Sequence, residues 1–113
     1  MIEDLISDYR DAAIMHGDGI MSGDSKKANQ AFDSLQDVLN KLTEIGEDQA
    51  LLELLSDENV WVQLWAAAHS LETDEHKAKM RLQSLAEAGI PIASMDARYT
   101  LREWDNGSLK FRS

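Results

Sequence analysis

Histidines and carboxylates are the side chains in this sequence whose chemistry could support catalysis or metal binding. The three histidines, His16, His69 and His76, form neither a His-Glu-x-x-His motif nor a His-x-x-x-His pair, the spacings that put two zinc ligands on one helix face. His16 and His69 fall on apolar helix faces, where a hydrogen-bonded core histidine is the favoured interpretation. His76 is expected to be exposed at a helix start. We therefore expect no metal site and no cofactor.

The remaining catalytic patterns are not favoured either. The chain has 21 acidic residues, but no pair stands out as the two carboxylates that glycosidases place across a cleft lined by aromatic side chains. Its serines and histidines lack the sequence context of a nucleophile elbow. Gly17, Gly19 and Gly23 give G-x-G-x-x-x-G, which differs from the dinucleotide fingerprint and follows a helix rather than a strand. The sequence predicts a protein that is not an enzyme.

The charge balance argues against some classes of partner and leaves two interpretations open. Eleven basic against 21 acidic residues give a formal charge of −10, which argues against binding to nucleic acid or to an anionic membrane surface. Such a charge suits a basic protein partner, although acidity often serves only solubility. The sequence has no cysteine, so disulfides and thiolate metal sites are excluded. Its start, MIEDLISDYRD, lacks a signal-peptide pattern, and we expect a cytoplasmic protein that is a monomer.

Apolar residues at spacings of three and four predict about six helices and an all-α fold. Gly, Asp and Asn residues mark the ends of these helices. Only residues 109–111 suggest an extended segment. Short turns between the helices predict three antiparallel hairpins within a single domain, residues 1–113. The predicted helices span 2–21, 25–45, 48–55, 57–72 with Asp57 as N-cap, 73 or 74 to 89, and 91–106 with Pro91 in the first turn.

The fourth helix is the most apolar part of the chain, and it lies in Leu51–Leu71, which holds two of the three tryptophans. A helix without a wide polar face must be covered on most sides. Its expected solvent stripe is Asn59, Gln63, Ala67 and Ser70. The three tryptophans are expected in the core, with Trp61 as the one that could instead anchor a partner. A further apolar face is expected to be buried on helix two: Ala28, Phe32, Leu35, Val38, Leu39, Leu42 and Ile45. Helix six carries two apolar stripes, one of Ile92, Met95 and Tyr99 and the other of Ala93, Ala97, Leu101 and Trp104.

This central stretch resembles a HEAT repeat. In such repeats an Asp in the inter-helix turn and a Val-Arg pair precede an alanine-rich second helix. Asp57, Val62 and Ala66-Ala67 match that pattern, and Gln63 stands where the arginine is usual. The resemblance implies a HEAT/armadillo-like α-solenoid, in which each hairpin packs only on its neighbours.

Four groups of residues, spread over most of the chain, carry a wider resemblance: Tyr9…Ala12-Ala13…His16-Gly17, Gly23-Asp24…Ala28-Asn29, Leu64-Trp65-Ala66-Ala67-Ala68-His69 and Glu103-Trp104…Gly107. On these segments the whole chain resembles a family of small bacterial proteins classed as a domain of unknown function, with an armadillo/HEAT-like fold. That family implies no catalytic residues. Small HEAT-like proteins of this kind also resemble, in fold and genomic setting, the immunity proteins of bacterial contact-dependent growth inhibition systems.

The candidate binding residues lie on the second helices of the first two hairpins. In a solenoid these helices line one concave side, so the polar face of helix two would lie beside the start of helix four. This face is either simply solvated or an electronegative groove for a basic protein. Arg98, Arg102 and Glu103 of helix six would make such a groove less uniformly negative. The candidate residues are Asp33, Asp37, Asn40 and Glu44 on helix two, preceded by Gln30, and Asn59, Trp61 and Gln63 on helix four.

The leading hypothesis is a non-catalytic protein-binding module. Its most concrete form is an immunity protein that neutralises a cognate toxin with a basic surface. The alternative is a structural or adaptor protein that acts by self-association.

Overall fold

The computed structural model of the chain describes residues 2–109, and these residues form helices and turns without any strand. The all-α prediction is confirmed, and Lys110 and Phe111 of the expected extended segment lie outside the described residues. No described helix is long and apolar enough to cross a membrane. The elements are α1 (Ile2–Ser22), α2 (Ser25–Glu44), a 3-10 helix η1 (Asp48–Ser56), α3 (Val60–Ser70), α4 (Glu75–Glu87) and α5 (Ala93–Asp105).

The chain divides between Ala50 and Leu51 into two compact units. In the first unit α1 packs against α2, and in the second unit α3, α4 and α5 pack against one another. The single domain expected from the sequence stays a prediction.

The first unit has a core of small and branched side chains. Tyr9 and Ala13 of α1 are fully buried, as are Leu35, Leu39 and Leu42 of α2. A glycine lets the two helices approach closely, because a Cβ on Gly19 would lie only 2.7 Å from the backbone nitrogen of Ala28. The turn between the helices ends at Asp24, whose side chain accepts a hydrogen bond from the Lys27 backbone N–H at 3.1 Å, as expected of an N-cap.

Two residues expected in this core are exposed. Phe32 is 40% exposed and Ile45 is 54% exposed, so their predicted burial is wrong. Ala31, not Phe32, occupies the inward position of that turn. Ile45 follows the last helical residue and lies at the C-cap of α2.

The leucine-rich segment and the start of α3 also differ from the prediction. Residues 48–56 form a 3-10 helix rather than an α-helix, with Leu51, Leu54 and Leu55 buried. The N-cap of α3 is Asn59 and not Asp57. Its Oδ1 accepts hydrogen bonds from the backbone N–H groups of Trp61 (2.9 Å) and Val62 (3.2 Å). Asp57 holds the preceding turn, because its Oδ2 accepts a hydrogen bond from Asn59 N–H at 2.9 Å.

Helix α3 is buried over a wider arc than expected. Ala67 and Ser70, placed on its solvent stripe from the sequence, have no exposed surface. Residues 66–71 are all buried, because their mostly small side chains allow close packing of the helix from several directions. The half-buried Asn59 and Gln63 are the members of the expected stripe that retain exposure.

Helices α4 and α5 are joined by a polar link at their surface. Asp74 is the N-cap of α4, one of the two residues expected there. Lys79 Nζ lies 3.2 Å from Glu75 Oε2 on α4 and 2.9 Å from Asp105 Oδ1 on α5. Hydrogen bonds from Trp104 and then from Lys79 lower the pKa of the Glu75 carboxyl. The link connects α5 to α4 at the surface, and exposed ion pairs of this kind contribute little to the free energy of unfolding.

The turn before α5 is strained. The helix begins at Ala93, so Pro91 precedes it instead of lying in its first turn. Ile92 has φ +66° and ψ −54°, and Ala93 N–H donates to the Pro91 carbonyl at 2.7 Å, which is a γ-turn with positive φ. The buried Ser94 holds this turn, because its Oγ donates to the Leu85 carbonyl at 2.6 Å and accepts from Ile90 N–H at 2.8 Å.

One of the two apolar stripes expected on the last helix faces outward. Ile92, Met95 and Tyr99 are all exposed, Met95 to 70%. The second stripe of the helix turns inward instead, with Ala93 and Ala97 fully buried. Alanines allow α5 to approach α3 and α4 more closely than Met or Tyr would.

Candidate functional site

The acidic residues predicted on the second helix form a continuous exposed face. We call Asp33, Asp37, Asn40 and Glu44 the acidic face of α2; all four are exposed, as is Gln30 one turn earlier. Their spacings of four, three and four residues keep them on one side of the helix. Within residues 2–109 the three carboxylates make no ion pair and no side-chain hydrogen bond. The face therefore presents uncompensated negative charge.

Helix α1 adds carboxylates beside this face. A groove of about 340 Å³ runs between the two helices, and we call it the α1–α2 groove. Asp11, Met15 and Asp18 of α1 also line a shallower depression of about 210 Å³ that reaches Lys27. Periodicity within one helix did not indicate this combination, because it depends on which faces of the two helices meet. The α1–α2 groove is lined by Asp8, Asp11, Ala12 and Met15 of α1 and by Ser34, Asp37, Val38 and Lys41 of α2.

The first unit carries most of the net negative charge of the chain. Residues 1–50 contain four basic and eleven acidic side chains, which is a formal charge of −7 out of −10. A surface with this excess attracts and orients basic proteins as they approach.

Two of the three candidate residues of the second unit have structural roles. Asn59 uses its side-chain oxygen to cap α3. Gln63 Nε2 donates to the Asp57 carbonyl at 2.5 Å and fixes the preceding turn. Trp61 is half-buried in the first turn of α3. The side-chain oxygen of Asn59 and the side-chain nitrogen of Gln63 are thus engaged within the second unit.

A different surface of the second unit has the composition of an interface. Met95, Arg98, Tyr99 and Arg102 lie together on the exposed side of α5 and, with Asp96, line a depression of about 360 Å³. The guanidinium carbon of Arg102 lies 5.6 Å from the centroid of the Tyr99 ring, within cation–π range. Met, Tyr and Arg are enriched at protein interfaces. Sequence reasoning missed this patch because periodicity placed Met95 and Tyr99 on one stripe without indicating which of the two stripes of the helix is exposed.

The groups whose pKa values are shifted lie on different helices and do not form one cluster. Burial lowers the pKa of His16 on α1 and raises the pKa of Asp96 on α5. His69 is buried with its ring 5.3 Å from that of Trp65, and His76 is exposed. In the part of the chain that the structure describes, no group of three or more His, Cys, Asp or Glu side chains is arranged to hold a metal ion.

Comparison with known proteins places the chain in a family. The profile of the family described as "Domain of unknown function (DUF2019)" matches residues 3–105. The chain belongs to the DUF2019 family. Its fold is similar to that in the crystal structure of the protein RPA1889 from Rhodopseudomonas palustris CGA009, with a TM-score of 0.90 and 22% sequence identity over 97% of this chain and 93% of that chain. No curated protein matches the sequence.

These matches confirm that the chain is a domain of unknown function with an all-helical fold. The HEAT-like arrangement and the relation to immunity proteins stay predictions.

Proposed function

We propose that this DUF2019 protein is a non-catalytic protein-binding module whose acidic face of α2 binds a basic surface of another protein. The observation that carries the proposal is the row of exposed carboxylates, Asp33, Asp37 and Glu44, none of which is neutralised by an ion pair within residues 2–109. A basic partner would therefore meet three negative charges that lie together on one face of the helix.

The surroundings of the acidic face favour a protein partner over a small ion. Asp8 and Asp11 extend the negative surface across the α1–α2 groove, while Met15 and Val38 supply apolar area within it. Lys41 at the same groove breaks the negative field at one place. Charges of both signs fix the orientation of a bound partner as well as attract it, since the partner must not place its own cation against Lys41.

In its most concrete form the partner is a bacterial toxin and the chain is its immunity protein, acting in the cytoplasm by covering the active or substrate-binding surface of the toxin. This version rests on the resemblance of small HEAT-like proteins of this kind to immunity proteins in fold and genomic setting, and not on particular residues of this chain. The strongly acidic first unit agrees with a toxin whose surface is basic.

We further propose that the helices stack as in a HEAT-like solenoid of three hairpins. Two features of the second unit support this arrangement. η1 lies beside α4, where both line one groove, and α3 packs against α5. In such solenoids the first helix of each hairpin lies beside the first helix of the next hairpin, and the second helix lies beside the next second helix.

A growth-rescue experiment tests the function. The protein encoded immediately upstream is expressed as the toxin, with and without this chain, and cell growth is followed. The chain is expected to restore growth. A variant carrying Asp33→Lys, Asp37→Lys and Glu44→Lys is expected not to.

A matched control carries Glu47→Lys, Glu53→Lys and Glu87→Lys, which are exposed positions off the acidic face and give the same change in net charge. It is expected to protect as well as the native chain. Equal protection by both triple variants would contradict the assignment of the acidic face. An upstream protein that is harmless, or toxic in spite of the chain, would contradict the immunity version.

A further inference from the structure

A basic and apolar groove lies on the second unit between η1 and α4. It has a volume of about 420 Å³, and we call it the η1–α4 groove. Its lining contains two cations and no carboxylate, in a chain of formal charge −10. The residues are Leu52, Leu55 and Ser56 of η1 and Lys77, Met80, Arg81 and Ser84 of α4.

The side of α4 that opens onto this groove is not the side that packs into the core of the unit, and Lys77 there lies 4.0 Å from Asp74 of the same unit. α4 buries Ala78, Leu82 and Leu85. The residues at the groove lie on another side of the helix, and Met80 is 57% exposed. Within residues 2–109 the half-buried Arg81 makes no ion pair and no side-chain hydrogen bond. The groove thus combines an apolar floor with an unneutralised guanidinium, a combination that fits an acidic segment carrying an apolar side chain.

The chain itself displays such a segment. Asp8, Asp11, Met15 and Asp18 form an exposed acidic row on α1, and Met15 is 44% exposed. The three aspartates make no ion pair within the described residues. Asp11 and Asp18 are seven positions apart, as are Lys77 and Ser84, and seven positions rise by about 10 Å on a helix. Each of these two segments places a methionine between charged or polar residues. The Asp11–Asp18 part of the acidic row therefore equals the groove segment in length, has the opposite charge and offers a similar apolar side chain.

We propose that the η1–α4 groove binds the acidic row on α1 of a second copy of this chain. Asp11 and its neighbours lie against Lys77 and Arg81, and Met15 lies on the floor formed by Leu52, Leu55 and Met80. The two surfaces differ, so the contact is heterologous: one copy keeps its acidic row free and the other keeps its groove free. This contact is the one that a self-associating adaptor needs, and it does not rest on the proposed toxin binding.

Sedimentation velocity at about 0.15 M salt, over a concentration series up to about 1 mM, tests the proposal. A small contact of this type predicts a Kd on the order of 0.1 mM. Asp8→Lys with Asp11→Lys should weaken association at least about 10-fold, although it reduces the net charge from −10 to −6 and so reduces general repulsion. Lys77→Glu with Arg81→Glu should weaken it similarly.

Two further samples distinguish this contact from a general effect of net charge. Arg98→Glu with Arg102→Glu on α5 gives the same net charge of −14 as the groove variant, and it should associate within about 3-fold of the native chain. An equal mixture of the Asp8/Asp11 variant and the Lys77/Arg81 variant should form a mixed complex, because each supplies the charge that the other lost. A native chain that stays monomeric to about 1 mM, self-association that persists in either groove or row variant, or a mixture without complexes would overturn the proposal.

Discussion

Replacing Gly19 by Ala tests how closely the two helices that carry the acidic face approach each other. In an ordinary exposed helix this change stabilises by about 1 kcal/mol, because glycine has the larger conformational freedom in the unfolded chain. Here the added Cβ would lie 2.7 Å from the Ala28 nitrogen and 3.0 Å from its Cα. Both contacts are with backbone, so no side-chain rotation can relieve them.

The size of the loss in stability follows from how far α2 would have to move. To restore ordinary contact near 3.4 Å, the start of α2 must move away by roughly 0.7 Å. Ala28 N–H donates to the Asp24 carbonyl at 3.1 Å in the first turn of α2, so this movement disturbs the helix start as well. Overpacking of this kind costs about 3 kcal/mol, at the upper end of its usual range. After the helix gain of about 1 kcal/mol, we expect a net loss of about 2 kcal/mol.

Urea unfolding followed by far-UV circular dichroism measures this loss. All three tryptophans lie in the second unit, so their fluorescence would not report directly on the first. With a slope near 1.5 kcal/mol per M, the midpoint should fall by about 1 M. Asp18→Ala, at the exposed neighbouring position, should change stability by less than about 0.5 kcal/mol. A Gly19→Ala protein as stable as the native chain would refute the close packing of α1 on α2.

Three further predictions concern a cap, a buried hydroxyl and a histidine, and each is measured by urea unfolding. Asn59→Ala removes the acceptor of two backbone N–H groups and should cost about 1 kcal/mol, whereas Asn59→Asp should retain most of that stability. Ser94→Ala leaves Ile90 N–H and the Leu85 carbonyl without this partner and should cost about 2 kcal/mol; a cost no greater than that of the exposed Ser84→Ala would count against it. Burial lowers the pKa of His16 below its ordinary 6.5, so the unfolded state binds the proton more readily than the folded state. The contribution of the neutral His16 to the free energy of unfolding is therefore present above pH 6.5 and is lost as the pH falls through the folded pKa. His16→Gln should reduce the decline in stability between pH 7 and 5. Identical pH profiles of stability for the two proteins would contradict this.

The helix order could be predicted from the sequence because local signals mark most of the ends. Asp24 and Asp74 cap helices where the sequence indicated caps, since a short acceptor side chain can reach the free N–H groups of a first turn. The start of α3 was placed two residues early because Asp57 and Asn59 are both good cap residues. The choice between them depends on how the turn after η1 folds, and local sequence does not encode that.

Which apolar face turns inward could not be predicted for α5. The helix has two apolar stripes, and hydrophobicity alone favours Met95 and Tyr99 over Ala93 and Ala97. The small residues are buried because the neighbouring helices come close, and that distance is a property of the whole unit.

The exposed acidic face of α2 followed from spacing within one helix, so the sequence was sufficient for its members. Its extension by Asp8 and Asp11 was not predictable, because it depends on which faces of α1 and α2 meet. The same holds for the η1–α4 groove, where residues more than twenty positions apart in the chain line one cleft.

The central claim is that the acidic face of α2 binds a basic protein, and calorimetric titration with the purified upstream-encoded protein tests it most directly. The native chain and the Glu47, Glu53 and Glu87 lysine variant should bind with affinities within about 5-fold of each other. The Asp33, Asp37 and Glu44 lysine variant should bind at least about 100-fold more weakly, since three reversed charges at one contact cost about 3 kcal/mol or more. Unchanged affinity in that variant would contradict the claim.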